Sequence, residues 1–298
     1  MNSPPNFKAY HSRVLGTEFR NFMRYLDRPL SRASIRVNTL KSNERDVTRF
    51  LRDQHIEYGN IPWCPEGLWV SSNEMDTLEH QLGYYYIQDS MSMVPAVALD
   101  PKPGDKILDL CAAPGSKTTQ IASRMENRGL LVANEPNFTR LRGLIYNIQR
   151  CGVMNAAVTR RDGCNYFKFD FKFDRILVDV PCSDVGTVRR NPFALKNWSL
   201  DWISKLSVVQ KKLAFEGFRR LKPGGVMTYS TCTTSIEENE QVVEALLSEF
   251  PDARIEKPDL PGLKYMPGLT EKTRDCIRVL PQHNDTDSFF VAKVVKGG

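Results

Sequence analysis

The sequence predicts an α/β protein built on a mostly parallel sheet with helices on both faces. Three observations predict it. From Lys106 onward, short apolar strands alternate with helical segments, the rhythm of a doubly wound sheet. Residues 107–120 run from a buried strand through the small-residue turn Ala113-Pro114-Gly115 into a helix, which brings backbone N–H groups and a helix N-terminus to one point. Asp109, Glu135, Asp162, Asp179 and Cys232 fall at or just past strand ends, where open α/β sheets bind ligands.

In chain order, residues 7–26 read as an amphipathic helix with Phe19, Phe22, Met23 and Leu26 on one stripe and Arg13, Arg20, Arg24 and Arg28 adding charge. Residues 34–40 alternate as a strand, 44–54 follow the helical period, and 67–71 form another strand. These place a small α/β unit over residues 1–82. Tyr84, Tyr85 and Tyr86 suit either stacking on bases or a hydrophobic seam between two units. Residues 91–99 continue as a helix, and Pro101, Pro103 and Gly104 punctuate the chain before the central strand. A second unit, 83–298, carries strands at 106–110, 129–134, 156–159, 173–180, 226–230 and 288–295. Its helices fall at about 116–125, 138–151, 200–221 and 236–250.

Composition narrows the function. The chain has 298 residues, 41% of them hydrophobic, enough for a large domain plus a small one. A net charge of +6 suits a polyanionic partner. The seven cysteines are odd in number and form no Cys-x-x-Cys, and the four histidines are scattered, so a disulfide framework or zinc cage is not expected. Free thiols fit a reducing, cytoplasmic setting. No apolar run approaches the roughly 20 residues that span a bilayer, and the N-terminus lacks an apolar signal core.

Two thiols stand out because they follow strands: Cys182 in Asp179-Val-Pro-Cys-Ser183 and Cys232 in Ser230-Thr-Cys-Thr233. A strand-end thiol facing a cleft is nucleophilic if a cation such as Lys117 or a helix N-terminus lowers its pKa; otherwise it is an inert buried cysteine. Cys64, Cys151, Cys164 and Cys276 have no such context and read as structural. Asp179 suits either hydrogen bonding to the exocyclic amine of a base or a local helix cap or salt bridge. Asp109 and Glu135 suit a ribose diol. Arg189 and Arg190, between Gly186 and Pro192, suit either a phosphate clamp or a solvated loop.

Several motifs, in this order, resemble the RsmB/Nop/Sun family of RNA cytosine-5 methyltransferases over nearly the whole chain. They are residues 34–40, Gln88-Asp-Ser90, Asp109-Leu-Cys-Ala-Ala-Pro-Gly-Ser-Lys117, Asp179-Val-Pro-Cys-Ser183 and Tyr229-Ser-Thr-Cys232. Glu237-Glu-Asn-Glu240, Arg278-Val-Leu-Pro281 and Phe289-Phe-Val-Ala-Lys293 complete the set. The resemblance implies a class I methyltransferase fold, Rossmann-like with a seven-stranded mostly parallel sheet. It also implies a small N-terminal domain that resembles an RNA-recognition motif. It implies S-adenosyl-L-methionine as donor, with Cys111, Ala112, Ala113, Pro114, Gly115, Ser116 and Lys117 along its methionine and ribose, Glu135 on the ribose hydroxyls with Arg140 in support, and Asp162 at the adenine. Asp179 would touch both donor and target base, Cys232 would be the nucleophile, Cys182 would serve product release, and Lys117 would orient Asp179 or the base.

The expected acceptor is a cytosine in RNA. The compact layout puts tRNA first and ribosomal RNA second, for a monomer needing no metal and no membrane, with target selection resting on residues 1–82 and the catalytic surface. Two other readings compete with this one. A silent RNA-binding assembly factor is disfavoured by the intact Lys117, Asp179, Cys182 and Cys232. A DNA methyltransferase would use the Pro-Cys thiol as nucleophile. Asp184 stands where the family usually has Gly, and Gln282 and Ser288 stand where His and Gly are common.

Overall fold

A computed structural model describes residues 3–166 and 171–298. Its first sheet contains β1 (Ala33–Val37), β2 (Tyr58–Asn60), β3 (Gly67–Val70) and β4 (Tyr85–Ile87), in the antiparallel order β2-β3-β1-β4. A helix at Glu44–Asp53 joins β1 to β2 and a short one at Leu78–Gln81 joins β3 to β4. This βαββαβ order is that of an RNA-recognition motif.

Strand alternation gives this sheet two faces. Ile35, Val37, Leu68 and Val70 meet Val47 and Leu51 of the Glu44–Asp53 helix. Ser34, Arg36, Gly67, Trp69 and Tyr86 share the opposite face by their pairing register. That face is closed against the rest of the chain. Trp69 packs with Met91, Met93 and Ile277. Arg36, 1% exposed, donates to the Ser116 carbonyl at 2.7 Å and to Thr119 Oγ1 at 2.8 Å, and also bonds Gln88. Gly67 permits the approach, since a Cβ there would stand 3.0 Å from the Met93 sulfur. Tyr85 is buried in the core against the Glu44–Asp53 helix, Tyr86 is buried on the closed face and so lies in the seam, and Tyr84 is half-exposed.

Residues 7–26 form two helices, Phe7–Leu15 and Phe19–Leu26, because Gly16 takes a positive φ of 52° between them. Phe7, Tyr10, Phe22 and Leu26 pack on Val185, Val188, Leu195, Trp198 and Ile203. They thus share a core with the segment that follows Cys182 rather than with the four-stranded sheet.

The second sheet contains β5 (Lys106–Asp109), β6 (Leu130–Asn134), β7 (Ala156–Thr159), β8 (Phe173–Asp179), β9 (Leu221–Thr231), β10 (Ala253–Glu256), β11 (Met266–Pro267), β12 (Ile277–Val279) and β13 (Phe289–Lys296). The run β7-β6-β5-β8-β9 is parallel, and β13 lies antiparallel on β9. With β12 on one half of β13 these make the expected seven; β10 on the other half and β11 beyond β12 bring the sheet to nine. The short strands β10, β11 and β12 lie outside the strands read from the sequence.

Both faces of the inner parallel strands β5, β6 and β8 are buried, as crossover helices require. Ile107, Leu131 and Leu177 meet Ile121 and Met125 on one side. Leu108, Ile176 and Val178 meet Leu213, Phe218 and Val242 on the other. Each such side chain contributes about 1.5–3 kcal/mol on burial. The parallel register leaves the carboxyl ends of β5, β8 and β9 at one edge.

Candidate active site

Asp179 ends β8 and is in register with Ser230 of β9, whose hydroxyl donates to Asp179 Oδ1 at 2.7 Å. Lys117, in the first turn of the Ser116–Arg124 helix, places its ammonium 2.7 Å from Asp179 Oδ2. It also donates to Ser92 Oγ at 2.9 Å and lies over the Phe289 ring. Lys117 thus ion-pairs with the Asp179 carboxylate.

The two strand-end thiols meet: Cys182 Sγ and Cys232 Sγ are 3.1 Å apart. Both donate to Asp184 Oδ1, Cys232 at 3.0 Å and Cys182 at 3.3 Å. Among the described residues these three form one trio whose metal-type ligand atoms gather within 4.8 Å. Gly186 stitches the two loops together, donating to the Cys232 carbonyl at 2.9 Å and accepting from Ser288 N–H at 3.0 Å. A Cβ at this position would stand 2.7 Å from the Cys232 carbonyl, so only glycine fits. Beneath them, buried Glu238 accepts from Ser183 N–H at 2.9 Å, Ser183 Oγ at 2.5 Å and Gln210 Nε2 at 2.9 Å.

The electrostatics do not hold a standing thiolate. A hydrogen bond with Cys182 favours ionised Cys232, but desolvation and the Asp184 and Asp179 carboxylates outweigh it and push the Cys232 thiol up. The bond to Cys232, followed by desolvation and Asp184, pushes Cys182 well above its ordinary value. Burial raises Glu238 as well.

Asp109 is buried at the end of β5 and receives the Thr118 hydroxyl at 2.7 Å, while its second oxygen has no hydrogen-bond partner among the described residues. Desolvation raises its pKa to about 7 despite the Thr118 bond. The folded state therefore holds this proton more tightly than the unfolded chain does. The contribution of this group to stability is fully present at acid pH and is lost as pH rises from about 4 to about 7. Asp109→Asn is expected to remove up to about 4 kcal/mol of that loss. Urea unfolding at acid and alkaline pH should show a smaller stability difference in the variant; an unchanged difference would place the ionisation elsewhere.

A cleft of about 480 Å³ opens over these groups. Cys111, Ala113, Pro114, Lys117 and Arg140 line it together with Asp179, Cys182 and Cys232. Gly115, at the start of the Ser116–Arg124 helix, offers no side-chain cap and takes a φ of 105°. Uncapped N–H groups with Lys117 and Arg140 suit a carboxylate, and Asp179 suits an ammonium, so this donor set fits an amino-acid zwitterion.

Ala112, Gly115 and Ser116 form the turn itself: Ala112 N–H donates to the Asn134 carbonyl at 2.8 Å and Gly115 N–H to the Ala112 carbonyl at 2.8 Å. Glu135 lies outside the cleft lining, 2% exposed, 3.3 Å from the Arg140 guanidinium and accepting from Asn137 N–H. Arg140 in turn donates to the Ala113 carbonyl at 2.8 Å. Asp162 also lies outside the lining; it is exposed and accepts from Cys164 N–H at 3.0 Å.

The two arginines of the pair are both engaged by carboxylates but differ in exposure. Arg189 has a side chain 1% exposed and is taken up by Asp285 and the Arg28, Pro29 and Thr286 carbonyls. Arg190 reaches the cleft but is neutralised by Asp287, with Asp89 at 3.9 Å. Sequence reading missed Asp89, Asp287 and Glu238 as site residues. The Gln88-Asp-Ser90 and Glu237–Glu240 stretches were the only signal for two of them, and nothing local marked Asp287.

The family described as 16S rRNA methyltransferase RsmB/F matches residues 96–295, and the N-terminal domain of 16S rRNA methyltransferase RsmF matches residues 4–90. The tRNA (cytosine(49)-C(5))-methyltransferase of Pyrococcus abyssi is 42% identical, over 92% of this chain and 91% of its own. Ribosomal RNA small subunit methyltransferase F of Vibrio cholerae is 40% identical over 98% of this chain; the chain spans 64% of that relative's length. The solved structure of a methyltransferase homolog from Pyrococcus horikoshii superposes with a TM-score of 0.85 at 32% identity, covering 97% of this chain and 93% of that one. NSun6 from the same organism shares the fold, with a TM-score of 0.89 at 24% identity and coverage of 99% and 98%. No helix among the described residues is long and apolar enough to cross a membrane. With this fold, this pair of strand-end thiols and these relatives, the chain belongs to the RsmB/Nop/Sun family of S-adenosylmethionine-dependent RNA cytosine-5 methyltransferases.

Proposed function

We propose that the protein methylates C5 of a cytosine in tRNA, with Cys232 as nucleophile, Cys182 as the thiol that frees the product, and Asp179, held by Lys117, on the target base. The observation that carries this reading is the meeting of two thiols, 3.1 Å apart, beside the Lys117–Asp179 pair. The chemistry needs such a pair. C5 of an aromatic cytosine is a poor nucleophile, and sulfur addition at C6 gives it enamine character. The second thiol then assists as the C5 proton leaves and the S–C6 bond breaks. Asp179 accepts from the exocyclic amine.

S-adenosylmethionine, when bound, supplies an electrophilic methyl group. The turn Cys111–Lys117 and Arg140 would hold its amino-acid end. Glu135 and Asp162, outside the cleft lining, would hold the ribose and adenine beyond it. The tRNA assignment is supported by the relative from Pyrococcus abyssi, whose length the chain nearly spans. Ribosomal RNA is the second substrate, favoured by the family match and the Vibrio relatives.

The RNA path follows from the closed sheet face. Bases cannot stack on β1 and β3 where Arg36 and Trp69 are buried. A groove sharing Asp89 and Arg190 with the cleft runs instead past Arg32, Asn73 and Ile87, and a further one continues from Arg32 to Tyr58. Arg32 makes no ion pair among the described residues and stacks 4.2 Å over Trp69. Nucleotides flanking the target would lie here. Arg32→Glu is expected to weaken tRNA binding about tenfold and lower the salt slope by about one, with donor binding unchanged. Unchanged affinity and slope would move the path elsewhere.

The test of the function is nucleoside mass spectrometry. The protein is incubated with S-adenosylmethionine and separate unmodified tRNA and ribosomal RNA pools, which are digested and examined for 5-methylcytidine. A gain in tRNA is expected, a gain only in ribosomal RNA reverses the order, and none in either overturns the proposal.

A further inference from the structure

Cys232 needs a base. An unperturbed thiol at neutral pH is only a few per cent thiolate, and this site pushes Cys232 further toward the neutral form. A neutral thiol attacks well only if its proton is removed as the new bond forms. Among the described residues no histidine lines the cleft. Of the carboxylates that do, Asp179 is engaged by Lys117 and Ser230, and Asp287 by Arg190, with Asp89 facing the same arginine. Asp184 is different. Among the described residues it makes no ion pair, its side chain is exposed at the cleft, and its Oδ1 lies 3.0 Å from Cys232 Sγ.

Resting on the reading of Cys232 as nucleophile, we infer that Asp184 is the general base that accepts the Cys232 thiol proton as sulfur adds to C6 of the cytosine. In this step the S–H bond breaks and its proton passes to Asp184 Oδ1. The sulfur electron pair forms the S–C6 bond. The C5–C6 π pair moves onto C5 and, through C4, onto N3. The negative charge leaves the carboxylate and appears on the ring, so charge and atoms balance. The carboxylate thereby becomes neutral as sulfur turns anionic in character, and its repulsion of a thiolate disappears at the moment of attack. When the S–C6 bond later breaks, the same proton returns to sulfur. Cys182, 3.3 Å from the same oxygen, competes for the carboxylate only until Cys232 reacts.

The backbone makes the test clean. Asp184 has a left-handed φ of 58°, which Asn and Gly also adopt readily. Asp184→Asn keeps an acceptor oxygen but is not basic; Asp184→Gly removes the side chain. Adduct formation would be followed in single turnover, with S-adenosylmethionine and tRNA transcripts carrying 5-fluorocytidine. Fluorine at C5 cannot leave as a proton does, so the covalent adduct accumulates and its rate reports the steps up to methyl transfer.

Both variants are expected to form adduct about 10²-fold more slowly near about pH 6.5. Their rates should then rise about tenfold per pH unit and converge on wild type at alkaline pH, where hydroxide makes the thiolate beforehand. Wild type should vary far less with pH. Variants with the wild-type rate and profile would overturn the assignment, as would a deficit of equal size at every pH, which marks a positioning role. If wild type forms adduct and Cys232→Ala does not, the nucleophile stands whatever Asp184 does. If wild type forms none, nucleophile and base fall together.

Discussion

Cys232→Ala is expected to lower methylation on the order of 10³-fold or more and to leave no covalent protein–RNA adduct, whereas Cys182→Ala is expected to trap one. The two thiols are neighbours with almost the same partners, so their roles cannot be told from burial or distance. They differ in chemistry. Loss of the nucleophile stops the reaction before any bond to RNA forms. Loss of the releasing thiol leaves the S–C6 bond intact after methyl transfer. Denaturing gel electrophoresis of each variant with S-adenosylmethionine and tRNA reads the difference directly. An adduct seen only in Cys232→Ala would exchange the two roles, and adduct in neither would sink the covalent scheme.

Arg278→Ala is expected to cost about 3–5 kcal/mol of stability. Arg278 and Glu240 are both fully buried, with Arg278 Nη2 2.5 Å and Nε 3.1 Å from the Glu240 carboxylate oxygens. Arg278 Nη1 also donates to the Thr234 carbonyl at 2.8 Å, two residues past Cys232. Removing the guanidinium leaves a buried carboxylate without its counter-charge and loosens the Thr-Cys loop. The double variant Arg278→Met with Glu240→Leu should recover most of the stability, because it removes both charges at once. Urea unfolding of the single and double variants tests this. A single variant within about 0.5 kcal/mol of wild type, the range of an ordinary surface change, would show that water reaches the pair.

Neither the ion pair nor the Asp184 geometry is visible in the sequence. Arg278 and Glu240 are 38 residues apart and become partners only through the pairing of β12 with β13 and the packing of the Glu240–Glu249 helix. Asp184 could be noticed as a departure beside Cys182, but its reach to Cys232 depends on the parallel register of β8 and β9.

The local record of the chain was otherwise informative. Apolar runs marked β5, β6, β8 and β9 because strands buried on both faces must be continuously hydrophobic. The positions of Asp179, Cys182 and Cys232 just past strand ends marked the site because parallel strands present their carboxyl ends to one edge. The tyrosine stretch and the arginine pair were ambiguous for a physical reason: a buried and an exposed aromatic or guanidinium look alike in sequence. Only the docking of the four-stranded sheet decided that Tyr86 lies in a seam, and only the return of β13 decided that Arg190 meets Asp287.

The sequence by itself determined the alternation of elements, the parallel core and the residues able to do chemistry, because these follow from side-chain period and residue type. The tertiary structure alone decided which sheet face is closed, which carboxylate is left without a cation, and which two thiols touch. Those depend on register and on contacts across hundreds of residues, which no local pattern encodes.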